Sequence, residues 1–475
     1  MQITSVSFER NEIPEHLQLR EPGSDGKRNT FTVINGENGS GKSALLRIIS
    51  DAALGLEISH QYRSRSKNIG IKIEGKVART IALSGTHNDR FPQNSGVELQ
   101  TRSNKFDLMQ FYYYGPKQSG NYTSTNKASA TTTHALLSGA RKDSNALASL
   151  TRLLSYMGFD AWIKVSLTPG PRSQRILPER FERLRSHIAE LSSDLFLTPK
   201  VSTSVFQTLE QLIVLSQENQ RLSRELQSLK LSYTFDPRSG TTTSDGEPPL
   251  LDILQSFQLP RETLIADFIV LGLLRASLSV RKDQIEYRLD ELSSGEWQLF
   301  YSLANLILNV RNNSLILIDE PENSLHPRWQ TEYLGLVRDL IKHAEGCHVI
   351  IATHSPLIAA SLLPFDGNLV RMSRRDPKAG IQAALDDTAY GWLPGDVLKE
   401  RFEMGSVRPP EITKAVNEAL RLIKESSRPR SELTAAARRV TALRRHLPIH
   451  DPLLPVMDAI VEIAFPEGIK LSPTV

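Results

Sequence analysis

The chain has 475 residues, a hydrophobic fraction of 39% and a net charge of +4, from 57 Lys and Arg against 53 Asp and Glu. That length leaves room for two or three domains with substantial cores, and so mild a charge excess does not by itself call for nucleic acid. Its single cysteine, Cys347, excludes an intrachain disulfide and reads as a small core residue on a strand; no apolar run reaches the roughly 18 residues of a membrane span, and Met1-Gln2-Ile3-Thr4-Ser5 lacks the order of a secretory signal, so a cytoplasmic location is expected.

In chain order, Phe31-Thr32-Val33-Ile34 reads as a buried strand, and Ala44 to Ile49 starts an apolar-rich helix. Between them, Gly36-Glu37-Asn38-Gly39-Ser40-Gly41-Lys42-Ser43 has the spacing of a phosphate-binding loop. Gly36, Gly39 and Gly41 let the backbone approach anionic oxygens, the helix N-terminus favours negative charge, and Asn38 belongs to the same cradle. Lys42 is expected to reach the β- and γ-phosphates of ATP, and the Ser43 hydroxyl to ligate Mg²⁺. Short strands at Ile71-Lys72-Ile73, Thr80 to Leu83 and Phe111 to Tyr114 complete a mixed sheet in a first lobe, residues 1–120.

Two stretches poor in residues to bury, Ser119 to Thr133 and Asp236 to Pro249, are expected to be loops. Residues 135–235 between them read as a helical insertion. Phe181, Leu184, Ile188 and Leu191, then Leu209, Leu212, Leu215, Leu222, Leu226 and Leu229, suit two antiparallel helices turning near Thr198-Pro199. Asn219 either fixes register in that seam or is an exposed polar residue near a helix end.

Residues 250–365 return to core-like composition. Leu292-Ser293-Ser294-Gly295-Glu296-Trp297-Gln298 precedes an apolar helix, so Ser293, Ser294 and Gly295 form an anion site of hydroxyls, amides and helix dipole, with Ser293 and Glu296 also fit for a capping box. Such a site, far from its own phosphate loop, calls for another copy's phosphate. Leu315-Ile316-Leu317-Ile318 is a buried parallel strand that delivers Asp319 to Mg²⁺ and Glu320 to the attacking water as general base. Ile350-Ile351-Ala352-Thr353 repeats the pattern and ends at His354, placed to hydrogen-bond the γ-phosphate. Residues 366–475 read as a helical extension, with a helix from about Glu411 to Lys424. Arg428, Arg430, Arg438, Arg439, Arg444 and Arg445 there suit a solvated face, a protein-docking surface or DNA.

Gly36 to Ser43, Leu292 to Glu296, Leu315 to Glu320, Ser324-Leu325-His326-Pro327 and His354 together resemble the ABC-type ATPase head shared by RecF, the chromosome-maintenance proteins and the overcoming-lysogenization-defect nucleases. Ser294 to Gln298 with Asp319 to Pro327 is also similar to stand-alone anti-phage defence ATPases, such as the Septu ATPase subunit and its retron-associated relatives. The resemblance covers residues 1–120 and 250–365. It implies an α/β fold: a P-loop core with a mixed sheet, a short helical-hairpin insertion and a helical C-terminal extension. It further implies that Ser324 lies in a loop, following Asp319-Glu320, that crosses the dimer interface and couples the two sites, and that a glutamine senses Mg²⁺ and water: Gln118, with Gln110 the alternative. The expected assembly is a homodimer or higher even-numbered oligomer closed on shared ATP and coupled to a separate effector, a nuclease if Septu-like. Nucleic acid stays open as a partner, through a RecF-like clamp on duplex DNA, and a membrane is not expected. The chain departs from the lysogenization-defect nucleases after His354: Asp386-Asp387 lacks their acidic metal pattern, and His446 and His450 lack ligands at metal spacing.

Overall fold

A computed structural model of the chain describes residues 1–10, 13–20, 27–53, 67–86, 88–91, 110–116, 125–138, 143–171, 173, 207–213, 219–229, 231–245, 259–373, 382–402, 404–425 and 430–466. It divides into two units, Met1–Val397 and Leu398–Val475.

The first unit begins with strands β1 (Gln2–Arg10), β2 (Ile13–Gln18) and β3 (Thr30–Gly36), which runs into helix α1 (Lys42–Ala53). Then come β4 (Lys67–Glu74), β5 (Arg79–Ser84), β6 (Gln110–Tyr114), α2 (Thr125–Ser138), α3 (Ser144–Tyr156) and β7 (Ile163–Pro169). Next are α4 (Asn219–Ser228), β8 (Leu231–Asp236), β9 (Thr241–Asp245), α5 (Arg261–Val270), β10 (Leu274–Lys282) and β11 (Ile285–Arg288). The unit continues through α6 (Ser294–Asn309), β12 (Ser314–Asp319), α7 (Pro327–Leu340), β13 (His348–Thr353), α8 (Pro356–Ala360), β14 (Gly367–Ser373) and β15 (Gln382–Asp386).

These strands form three sheets. The largest has the order β15-β14-β3-β13-β12-β5-β6 and is parallel except for its antiparallel edge, β15. β3, β12 and β13 are buried along their whole length, as apolar runs in a sheet covered on both faces must be. β2-β1-β4 is a separate antiparallel sheet, and β11-β10-β7-β8-β9 is another. Leu45, Leu46 and Ile49 of α1 pack with Ile34, Leu317 and Ile350 of the large sheet and Ile3 and Val6 of β1 in one core. The α/β class and the mixed large sheet agree with expectation.

Four expectations need correction. Residues 119–133 were to be loop, yet α2 begins at Thr125: Ala128, Ser129, Thr132 and Thr133 are buried, and Asn305 Nδ2 donates to Thr132 Oγ1 at 2.8 Å. Small side chains allow that close approach, so a composition that reads as disordered is a packing surface. Residues 236–249 were to be another loop, but Thr241–Asp245 pairs with β8 as a hairpin. The insertion at 135–235 is not wholly helical, because β7 and β8 are two of the five strands of the β11-to-β9 sheet. Residues 366–397 belong to the first unit, because β14 lies parallel to β3 and pairs with β15. The turn near Thr198-Pro199 and the leucines before Leu209 lie outside the described residues. Leu209, Leu212, Leu222, Leu226 and Leu229 are buried, and Asn219 is the first residue of α4.

Helix α9 (Pro394–Glu400) leads into the second unit, whose helices are α10 (Pro410–Lys424), α11 (Arg430–Arg444) and α12 (Leu454–Ala464). Ile412, Val416, Ala419, Ala437, Val440, Met457 and Ile460 form their common core. Arg439 pairs with Glu418 at 3.2 Å and Arg444 with Asp458, so half of the Arg438/Arg439/Arg444/Arg445 group is engaged within the bundle. Among the described residues no helix is long and apolar enough to cross a membrane.

His348, fully buried at the start of β13, fastens the small N-terminal sheet to the large one. Its Nδ1 accepts from the Ile3 N–H at 3.0 Å, which leaves the proton on Nε2 to donate to Thr32 Oγ1 at 2.9 Å. Burial, reinforced by Arg20 and the N-terminal amine, pushes its pKa down to about 3. The unfolded chain therefore takes up a proton below the ordinary 6.5 that the folded chain refuses. Stability from this site is full above about pH 6.5 and is lost progressively as pH falls towards 3. In urea unfolding, His348→Asn is expected to cost about 1–3 kcal/mol at neutral pH, with the gap to the parent narrowing between pH 6.5 and 4.5; a gap constant over that range would remove the assignment.

Candidate nucleotide site

The C-terminal ends of β3, β12 and β13 deliver the phosphate loop, Asp319-Glu320 and His354 to one edge of the large sheet. A Cβ on Gly36 would lie 2.2 Å from the Met372 carbonyl oxygen, so β14 can run beside β3 only if that position is glycine. Gly39 and Gly41 have φ of +82° and +102°, left-handed values that turn the loop tightly into α1. Asn38 and Gly39 are exposed on the loop, while Lys42 is only 4% exposed.

The Lys42 ammonium donates to the Gly36 carbonyl at 2.8 Å, the Glu37 carbonyl at 3.0 Å and His354 Nδ1 at 3.3 Å. Because the ammonium is only a donor, Nδ1 is the bare nitrogen and Nε2 carries the proton towards Glu320 Oε1, 3.2 Å away. Asn323 Nδ2 donates to the other Glu320 oxygen at 3.1 Å. These bonds, that from His354 first, hold Glu320 below the ordinary carboxylate range. Burial lowers the Lys42 pKa to about 8 against the opposing pull of Glu320, Glu322 and Asp319. Lys42, His354 and Glu320 thus form one continuous chain of hydrogen bonds.

Ser43 Oγ donates to Asp319 Oδ1 at 3.0 Å, while Asp319 Oδ2 is buried without a hydrogen-bond partner. Burial pushes the Asp319 pKa up to about 7 despite the Ser43 bond. A buried, unsatisfied carboxylate oxygen beside a hydroxyl is a costly arrangement that a hard cation relieves, so the pair fits Mg²⁺. The loop amides and Lys42 fit a phosphate chain.

Ser293 caps α6: the Glu296 N–H donates to its Oγ at 3.3 Å, and the Ser293 N–H donates to Glu296 Oε2 at 3.0 Å. The capping box is therefore real, and it leaves Ser293 and Ser294 exposed at the helix N-terminus. They are not part of the Lys42 cluster. Gly295 is buried, and a Cβ there would come 2.4 Å from the Ser324 carbonyl oxygen. Ser324 itself is exposed, with φ of +70°. His326 and Pro327 start α7: His326 Nδ1 accepts the Arg328 N–H at 3.2 Å, and Pro327 occupies the first turn.

Gln118 lies outside the described residues, and Gln110 is the first residue of β6. Asp386 lies in β15, paired with Arg371 at 3.2 Å. Cys347 is buried, which pushes its thiol up to about 11 and makes it unreactive. Sequence reasoning gave no role to Glu322, which accepts the His354 backbone N–H at 2.5 Å, nor to Gln330, which binds Ser355. The available signal was a second acid two residues beyond Glu320.

Residues 158–360, which include the Ser293 segment, Asp319-Glu320 and His354 but not the phosphate loop, match a family model described as an AAA domain, putative AbiEii toxin, type IV TA system. The chain is also 38% identical over 76 residues to protein ea59 of Escherichia phage lambda, covering 16% of this chain and 14% of that protein. It is 37% identical over 79 residues to the macrolide export ATP-binding/permease protein MacB of Hahella chejuensis, covering 17% and 11%. It is 30% identical over 142 residues to the arabinose import ATP-binding protein AraG of Shigella dysenteriae, covering 27% of each. These matches point to an ATPase domain of the AAA/ABC type. They span at most 27% of the length of the curated relatives. Among solved structures, an Smc head domain from Pyrococcus furiosus aligns over 81% of this chain and 96% of its own, with 10% identity and a TM-score of 0.31. The Smc head domain of Thermotoga maritima aligns over 82% and 100%, with 11% identity and a TM-score of 0.26. The narrower resemblance to Septu and retron-associated ATPases is carried only by the residues quoted for it.

The close approach of Gly295 to Ser324 predicts that Gly295→Ala forces the start of α6 and the Ser324 loop apart and lowers stability by about 1–3 kcal/mol. Ser294→Ala, at an exposed position, should stay within about 0.5 kcal/mol of the parent. Paired thermal melts check this; equal melting temperatures for the two variants would contradict the packing.

Proposed function

We propose that the chain binds and slowly hydrolyses ATP, and that two copies clamp two ATP molecules head to tail in a switch that licenses a separate effector. The observation that carries the reading is the hydrogen-bonded cluster of Lys42, His354 and Glu320 beside the Ser43–Asp319 pair. Lys42 would exchange its bonds to the Gly36 and Glu37 carbonyls for phosphate oxygens, which keep its ammonium charged. Ser43 and Asp319 would hold Mg²⁺, which supplies charge neutralisation across the phosphates. Glu320, kept ionised by His354 and Asn323, would orient and deprotonate the attacking water. His354 would turn its Nε2–H from Glu320 to a γ-phosphate oxygen and so distinguish ATP from ADP.

The exposed Ser294 hydroxyl and the helix N-terminus, away from the Lys42 cluster, support an anion site that serves a second copy, for which Ser293 would exchange its Oγ bond to Glu296 Oε2, 2.6 Å away, for a phosphate oxygen. ATP then shifts the population from open to closed pairs, and hydrolysis resets it. Support for a defence role comes from Asp319 to Pro327 with Ser294 to Gln298, and from a family model whose name includes a putative toxin of a toxin–antitoxin system. In that setting the effector is a nuclease on another chain, met in the cytoplasm by the insertion or the C-terminal helices, with Gln118 sensing Mg²⁺ and water. The rival, a RecF-like clamp on duplex DNA, draws less support because Arg439 and Arg444 are engaged in ion pairs within their own bundle.

Glu320→Gln is expected to reduce phosphate release by about 100-fold or more while ATP still binds, and to prolong the ATP-dependent dimer seen by light scattering. Unchanged turnover would sink the role of Glu320; a monomer with ATP at every concentration would sink the clamp.

A further inference from the structure

The loop after Asp319 and the first turns of α7 behind it grip the turn that carries His354, at one point each. Glu322 Oε1 accepts the His354 backbone N–H at 2.5 Å, a short bond to a carboxylate. Eight residues beyond Glu322, the Gln330 side chain makes the second tie. Its Oε1 accepts from Ser355 Oγ at 2.7 Å, and its Nε2 donates to the Leu325 carbonyl at 3.0 Å. Ser355 in turn caps α8, accepting the Ile358 N–H at 3.3 Å. The chain between the two ties contains Ser324, exposed, left-handed and pressed against Gly295. One end of the loop is therefore fixed to the His354 backbone and the other to the cap of the helix that follows.

We propose that Glu322 and Gln330 are positioning residues that join the Ser324 loop and the His354 turn into one rigid body. A displacement of Ser324 is then carried to the His354 ring, and so to its bonds with Lys42 and Glu320, instead of being absorbed by loop flexing. The inference rests on the proposed ATPase reading and gives that site its regulation: the surface offered to a second copy sets the bonding of Glu320. Besides the two ties, the Ser324 loop and the His354 turn are joined by β12 and β13, by the Glu320–His354 bond and by the packing of α7 against α8. Glu322 holds the turn through Oε1 alone, since its buried Oε2 has no hydrogen-bond partner; burial raises its pKa, while the His354 N–H stabilises its charge.

The test uses the full chain labelled with ¹⁵N-histidine, in which His354 is assigned among the 11 histidines by the signal lost in His354→Asn. The parent should show one bare and one protonated ring nitrogen at His354. Glu322→Gln, which preserves shape, should move the His354 amide proton upfield and collapse the ring pair towards an averaged pattern. Gln330→Leu should collapse the ring pair while leaving the amide bond in place. In both variants kcat for ATP should fall about tenfold or more with the Kd for ATP within about twofold. A His354 ring spectrum unchanged in both variants would overturn the proposal, as would kcat within about twofold of the parent in both. A parent that turns over no ATP would defeat the ATPase reading instead, while the ring spectra, recorded without nucleotide, would still decide whether the two ties act on His354.

Discussion

The parallel ladder pairs Ala352 with both Ile34 and Asp319, so the C-terminal ends of β3, β13 and β12 stand level. Every group at the site inherits its place from that register. Asn35-Gly36 leads into the phosphate loop, Asp319 meets Ser43 across the sheet edge, and Thr353 hands the chain to His354. Polar residues at the ends of buried strands cannot retreat to solvent, so they satisfy one another. Their burial is the physical origin of the lowered Lys42 pKa and the raised Asp319 pKa, offset in part by the carboxylates around Lys42 and by the Ser43 bond to Asp319. Both perturbed groups are relieved by the ligand they fit: Lys42 by an anion, Asp319 by a cation.

Close approaches at glycine extend that constraint outwards. Gly36 lies against β14, Gly85 against the Glu320 carbonyl and Gly295 against the Ser324 carbonyl, each at a distance no Cβ would tolerate. Glu320, with φ of +46°, and Ser324, with φ of +70°, take left-handed conformations that non-glycine residues avoid unless their surroundings impose them. The loop between the acidic pair and α7 is therefore held tightly, by bonds to His354 on one side and by the helix cap at His326 on the other. A rigid loop with one exposed serine is better suited to transmitting a contact than to absorbing one.

Much of the site was legible because its motifs are local. The phosphate loop, the buried strand ending in Asp319-Glu320 and the capped helix at Ser293 each need only a few neighbouring residues to be recognised. What failed was non-local. The alternation Ile163, Val165, Leu167 marks β7 plainly, with those three residues buried, yet the helical pattern around it obscured the strand. Thr125 to Thr133 looks soluble because its residues are small, and only the surfaces that receive Ala128, Thr132 and Thr133 make it a helix. From sequence alone β14 reads as part of a helical extension, because its partner β3 lies more than 300 residues earlier in the chain. Glu322 and Gln330 escaped for the same reason: their partners, His354 and Ser355, lie just past the end of β13, 32 and 25 residues further along the chain.

The central claim is that Lys42 of one copy shares its ATP with Ser293 of another. Mixing two inactive chains tests it most directly, one carrying Lys42→Ala and the other Gly295→Asp. In a mixed pair, one composite site combines both defects and the other combines an intact phosphate loop with an intact Ser293 segment. The account predicts that mixing restores ATP turnover, approaching half the parental rate per mixed pair if the two sites act independently. Two folded, ATPase-dead chains that exchange partners yet regain no activity would contradict it.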